Sequence, residues 1–251
     1  MFRDCISVMK SPTIILMYHS VSDKPAFFAV TPDMFESQMK YIHDKNVATV
    51  FASEVPDLLK GASSRRVCIT VDDGYEDFFL NAFPILKKYG IRSTVFLITD
   101  LIGGTLTEKN HSAAILTEDQ IRQLLASGLV EFMPHTHTHP NLDQIPFEEA
   151  VREIETSRAR VAALTGEQSD IFAFPRGRYT TKLLDHMRSG GWHAAFSVER
   201  GVANEASDVM QLPRLAVDSA TSMRAFRAAV SGSIRWYRIL KAINFRLGLN
   251  V

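Results

Sequence analysis

The run Val67-Cys-Ile-Thr-Val71 is a block of β-formers that stops abruptly at Asp72-Asp73-Gly74, the pattern of a buried strand that delivers acids to the mouth of a site. Adjacent aspartates at the carboxyl end of a strand repel each other, so a fold that places them there needs a cation or a proton to share between them. The competing reading is an Asp-Gly turn with one carboxylate capping the next helix.

The same kind of apolar run recurs at 14–18, 47–51, 94–98, 131–133, 171–174, 193–197 and 212–217, with helical patterns between most of them. That alternation implies an α/β fold with a mainly parallel sheet. A length of 251 residues suits a single-domain distorted (β/α) barrel, because such barrels run this long as one unit. Thr31-Pro32 opens one helix, whose Phe35, Met39 and Ile42 form an apolar stripe, and Thr117-Glu-Asp-Gln120 reads as a capping box for another.

Pro134-His135-Thr-His137-Thr-His139-Pro140 packs three of the chain's eight histidines into five positions. On a helical turn, His135 and His139 would face the same way and could hold a metal ion with a carboxylate as third ligand. In an extended segment all three imidazoles would share a face, giving a three-histidine site instead. A third cluster, Phe172-Ala-Phe-Pro175-Arg176-Gly177-Arg178-Tyr179, again runs from an apolar strand into a Pro/Gly turn with polar and aromatic groups at its tip.

In order and spacing, Thr70-Val-Asp72-Asp73-Gly74-Tyr75, His135-Thr-His-Thr-His139-Pro140-Asn141-Leu142 and Phe172-Ala-Phe-Pro175-Arg-Gly177-Arg-Tyr179 resemble the first three motifs of the polysaccharide deacetylase family of carbohydrate esterases. The resemblance covers roughly residues 14 to 217 and includes the stretch from Asn81 to Leu97. It implies that Asp72 is the general base and that Asp73, His135 and His139 bind one divalent metal ion, with zinc the first expectation and other divalent ions suited to the same ligands. Such a set leaves coordination positions open for a water and a substrate carbonyl, so that a bound ion would acidify the one and polarise the other.

Amide cleavage also needs an acid for the leaving amine. Most members carry it on a histidine in a late Leu-x-His motif, yet no histidine follows His193 here. Ile14-Ile-Leu-Met-Tyr18-His19 resembles instead the members whose motif order is permuted, which makes His19 the expected acid. Arg176 stands where the family commonly has an aromatic residue; its main-chain N–H and Tyr179 are the expected oxyanion and substrate contacts. Arg176, Arg178 and Arg214 all remain open as the brace for Asp72, with Arg214 preferred. Met133-Pro134 replaces the small residues common before the first ligand histidine.

The resemblance implies hydrolysis of N-acetyl groups on amino sugars of a glycan, glycolipid or polysaccharide precursor. Deformylation or other deacylation of a lipid-linked amino sugar, and non-catalytic carbohydrate binding, are the competing functions. A formal net charge of zero argues against nucleic acid as a partner. Cys5 and Cys68 are too few for a disulfide framework or a thiolate metal site. With Arg3, Asp4 and Lys10 ahead of a short apolar run, no signal peptide or spanning helix is evident, and a cytoplasmic location, peripheral to the inner face of the membrane, is expected. The expected organisation is one catalytic domain over 1–251, with its core at about 14–217 and an amphipathic tail at about 233–248. That tail mixes bulky apolar and basic residues, as suits either a helix packed on the barrel or peripheral contact with a membrane surface.

Overall fold

The computed structural model describes residues 12–24, 26, 28–61, 64–108 and 111–246. Its principal strands are β1 (Thr13–Tyr18), β2 (Ala48–Val50), β3 (Arg66–Val71), β4 (Ser93–Leu97), β5 (Val130–Pro134), β6 (Ile171–Ala173), β7 (Ala194–Phe196) and β8 (Leu215–Ala216). The helices are α1 (Pro32–Asp44), α2 (Val55–Leu59), α3 (Phe83–Tyr89), α4 (Glu118–Ala126), α5 (Phe147–Thr165), α6 (Thr181–Ser189), α7 (Met223–Val230) and α8 (Ile234–Arg246). Each strand falls on an apolar run seen in the sequence. The last run shrinks to a two-residue strand, with Leu212 contributing only an isolated bridge to Phe196.

The sheet is parallel in the order β8-β1-β3-β4-β5, with β2 beside the first half of β3, while β6 and β7 form a separate parallel pair. The Phe196–Leu212 bridge links that pair towards β8. Between β5 and β6 no ladder forms among the described residues; the two strands meet through side chains instead. The result is the expected (β/α) barrel, distorted where the β6-β7 pair joins the rest of the sheet without a ladder on either side among the described residues. Parallel strands are covered on both faces, and accordingly β1 is buried along its whole length and β3 from Val67 onwards. Cys68 lies in this buried part of β3, whereas Cys5 and the first charged residues lie outside the described residues.

Local signals act as their chemistry demands. Thr31 caps α1 through Met34 N, with Pro32 in the first turn, and Phe35, Met39 and Ile42 are fully buried. Thr117 and Gln120 exchange both capping-box hydrogen bonds at the start of α4.

One side of the tail helix packs on the barrel. Within α8, Tyr237 is buried with its hydroxyl on Ala216 O, and Lys241 Nζ reaches Ala216 O and Asp218 Oδ2, both at 2.6 Å. Those two residues therefore belong to the barrel side of the helix, not to a lipid-facing side. Trp236, Ile239 and Ile243 remain exposed. The end of the expected tail, Leu247 and Gly248, lies outside the described residues.

Candidate active site

All the expected site residues but two, Tyr179 and Arg214, stand at or just beyond the carboxyl ends of strands. Asp72 follows β3, and its N–H donates to Tyr18 O at 2.9 Å, which sets the end of β3 beside the end of β1 and hence beside His19. His135 follows β5, with its N–H on Leu97 O at 2.9 Å. Arg214 precedes β8 and reaches past β1, the strand between, to the end of β3.

Arg214 grips Asp72 with both prongs: Nη1 lies 2.7 Å from Oδ1 and Nη2 2.8 Å from Oδ2. Its Nε donates to Ser197 O at 2.8 Å, and Nη1 also donates to Thr70 Oγ1 at 3.1 Å. Burial by itself would raise the Asp72 carboxyl, but the Arg214 guanidinium outweighs it and brings the pKa to about 2. The other two arginines point elsewhere. Arg176 Nη1 donates to His139 O and Asn141 Oδ1, and Arg178 Nε donates to Asp143 Oδ1.

Asp73, His135 and His139 bring one ligating atom each to within 4.8 Å of one another. The Asp73 Oδ1 atom lies 3.6 Å from His135 Nε2 and 3.4 Å from His139 Nε2. His135 Nδ1 donates to Ala173 O at 2.7 Å, which leaves the Nε2 lone pair facing Asp73 and spans the β5–β6 seam. Burial lowers the pKa of both imidazoles, that of His139 to about 2 with further lowering from His135 and Arg176. Two neutral imidazoles and one carboxylate, buried and converging, fit a divalent cation.

The ligand loop after β5 is neither a helical turn nor a strand. Thr136 and His139 both take left-handed backbone conformations, with φ of 68° and 65°, and this alternation turns both ligand rings to one side. His137 faces away, with Nδ1 hydrogen-bonded to Thr99 Oγ1 at 3.0 Å and Nε2 3.6 Å from Asp100 Oδ1, so the three-histidine arrangement does not form. Of the five non-glycine residues with positive φ among the described residues, only Asn46 lies away from the site; the others are Asp73, Thr136, His139 and Arg176. Strain is therefore concentrated where the chemistry is. Gly74, at φ 77°, continues the turn after Asp73, where an added Cβ would come within 2.7 Å of Leu97 Cδ2.

The sequence reading missed several supports of this loop. Glu153, on α5, accepts hydrogen bonds from His137 N (2.9 Å), Thr138 N (2.8 Å) and Thr138 Oγ1 (2.7 Å). Thr136 Oγ1 donates to His135 O and accepts from His139 N. On the His19 side, Asp77 accepts from Ser20 Oγ and from Val21 N. An isolated glutamate in an amphipathic helix carries no local signature; only the packing of α5 against β5 gives Glu153 this job.

His19 is half-buried and stacks obliquely near Phe28, which in turn lies parallel to Tyr75 at 5.8 Å. Past β6, Arg176 adopts φ 54°, and the next two N–H groups are engaged, Gly177 with Phe174 O and Arg178 with Pro175 O. Tyr179 packs its ring on Phe174 at 4.5 Å and donates its hydroxyl to Gln211 Oε1 at 2.8 Å.

This geometry has counterparts among known proteins. A family model described as polysaccharide deacetylase matches residues 60–195. The Bacillus subtilis (strain 168) protein YxkH, named for the polysaccharide deacetylases, is 32% identical over 219 residues, covering 86% of this chain and 75% of that protein. A poly-beta-1,6-N-acetyl-D-glucosamine N-deacetylase of Staphylococcus aureus (strain MRSA252) is 26% identical over 212 residues, or 80% of this chain and 72% of its own. Among solved structures, the Streptococcus pyogenes deacetylase PplD in complex with acetate superposes with a TM-score of 0.74 at 28% identity, covering 85% of this chain and 95% of that one. IcaB from Ammonifex degensii shares the fold, with a TM-score of 0.76 at 23% identity over 91% of this chain and 97% of its own. With the family match spanning more than half of its length and carrying Asp72, Asp73, His135 and His139, the chain belongs to the polysaccharide deacetylase family, hydrolases of carbon–nitrogen bonds other than peptide bonds.

Proposed function

We propose that the protein removes N-acetyl groups from amino sugars of a glycan, glycolipid or polysaccharide precursor, with one divalent cation held by Asp73, His135 and His139. The observation that carries this reading is the convergence of those three ligands beside a carboxylate, Asp72, that Arg214 locks in place. The name of the Staphylococcus aureus relative supports an N-acetylated hexosamine polymer as the substrate class. Zinc suits two imidazole nitrogens and a carboxylate oxygen.

When bound, the cation would polarise the acyl oxygen and make a water more acidic. Asp72, kept ionised by its pairing with Arg214, accepts the proton as the water oxygen adds to the acyl carbon. Arg214 holds both carboxylate oxygens, so the base keeps one orientation through the step. His19, at the end of the neighbouring strand, supplies a proton to the amine nitrogen as the C–N bond breaks, since an unprotonated amine leaves poorly. The products are acetate and a free amino sugar.

The deciding experiment incubates the chelator-treated protein, with and without added zinc, with oligomers of N-acetylglucosamine. Mass spectrometry should show loss of acetyl groups, with stoichiometric acetate, only after metal is restored. Release of formate from an N-formylated sugar but no acetate would favour the deformylase reading. Metal binding without any acyl release would favour a sugar-binding relative.

A further inference from the structure

Charge is distributed very unevenly along this neutral chain. Asp218 is its last acidic residue, and the 33 residues after it carry six Lys or Arg. That segment alone is therefore at +6 and the rest at −6. Lys241 spends its charge inward on Asp218, whereas Arg224, Arg227, Arg235 and Arg238 are exposed.

The same segment shows an apolar face that the fold leaves uncovered. Trp236, Ile239 and Ile243 stand three and four residues apart on α8, so they form one stripe. They are 60%, 38% and 46% exposed. Arg235 precedes Ile239 by one turn and borders the stripe, and Arg238 lies on the same basic flank, with Nη2 on Arg200 O at 2.8 Å. The opposite side of the helix is anchored by Tyr237 and Lys241 to Ala216 and Asp218. Thus α8 packs on the barrel flank by one side. It climbs from Gly232, which packs near Pro12 and Ile14 at the amino end of β1, to Asn244 beside Ala220, beyond β8 and towards the catalytic rim.

We propose that the outer face of α8 is a docking surface for an anionic lipid bilayer. Basic charge would draw the face to acidic headgroups, and Trp236, Ile239 and Ile243 would enter the boundary between headgroups and acyl chains. Among the described residues no helix is long and apolar enough to cross a membrane, so the contact is peripheral. Charge complementarity is what selects this occupant. A second copy of the chain would set the same basic surface against itself, and outside α8 only Leu80 and Val198 are large exposed hydrophobics among the described residues, too few for a matching apolar face.

The test is sedimentation of the intact protein with vesicles of pure phosphatidylcholine and with vesicles that also contain phosphatidylglycerol. Binding is expected only to the anionic vesicles and should weaken on raising the salt to 0.5 M, on the order of tenfold or more. Each of Arg235→Gln and Arg238→Gln should weaken it roughly fivefold. Trp236→Ala with Ile243→Ser should weaken it at every salt concentration, with circular dichroism and acyl hydrolysis of a short soluble substrate unchanged. No binding to anionic vesicles would overturn the proposal. So would a dimer in sedimentation velocity that the Trp236 and Ile243 substitutions dissociate, since the stripe would then be an interface between copies.

Discussion

Arg214 and Asp72 are 142 residues apart and meet as a two-pronged, fully buried pair, with Nη1–Oδ1 at 2.7 Å and Nη2–Oδ2 at 2.8 Å. A lysine could satisfy the charge but not both oxygens, because its ammonium is a point donor and not a planar fork. Arg214→Lys should therefore leave a folded protein that binds metal normally yet turns over roughly 100-fold more slowly, the scale of a misplaced catalytic group. Arg214→Met should cost about 3–5 kcal/mol of stability by stranding a buried carboxylate, measurable by urea unfolding. Wild-type turnover in Arg214→Lys would refute the positioning role.

The pair also sets an acid limit to stability. The folded chain keeps Asp72 ionised down to about pH 2, whereas the unfolded chain takes up a proton near pH 4, as an ordinary aspartate does at about 3.9. The stabilisation is thus complete above about pH 4 and is lost as pH falls towards 2. In the metal-free protein, His135 and His139 add a second slope at higher pH: buried and neutral when folded, they bind protons when unfolded below about 6.5. Stability should fall from there towards acid. Melting curves at a series of pH values should show a shallower fall between pH 6 and 4 for His139→Gln, and a shallower fall below pH 4 for Asp72→Asn.

Removal of a ligand and removal of a loop support should be separable by metal titration. Asp73→Ala, His135→Ala and His139→Ala are each expected to abolish stoichiometric binding. Glu153→Gln should keep the fold but replaces by a donor one of the two carboxylate oxygens that accept from His137 N, Thr138 N and Thr138 Oγ1, so affinity should fall by about 10–100-fold. Saturating metal should restore most of its turnover. Asp72→Asn should bind metal as the wild type does and lose turnover by roughly 100-fold or more.

For His19 the leaving group is the discriminating variable. His19→Gln should slow amide hydrolysis by about 100-fold with metal occupancy intact. An acetate ester of a good leaving group should be much less affected, because that group departs without a proton. Equal losses on both substrates would assign His19 to substrate positioning and leave the acid to be found elsewhere.

What was legible in the sequence was whatever local chemistry encodes. Strand-forming runs placed the barrel strands, capping residues placed the starts of α1 and α4, and it was the family resemblance, more than spacing, that singled out Asp72, Asp73, His135 and His139 among the readings the motifs left open. Tertiary structure decided the rest. Selection of Arg214 over Arg176 and Arg178 depends on the order β8-β1-β3, a long-range pairing that leaves no trace near either residue. The shape of the ligand loop depends on positive φ at Thr136 and His139, which neither residue prefers and which Thr136 Oγ1 holds from within the loop and Glu153 from α5. Residues 233–248 were amphipathic by sequence, but which side of α8 faces the barrel was settled by Asp218 and Ala216, the partners that draw Lys241 and Tyr237 inward and leave Trp236 out. Local preference is a property of a few neighbouring residues, whereas burial and pairing are properties of the assembled chain.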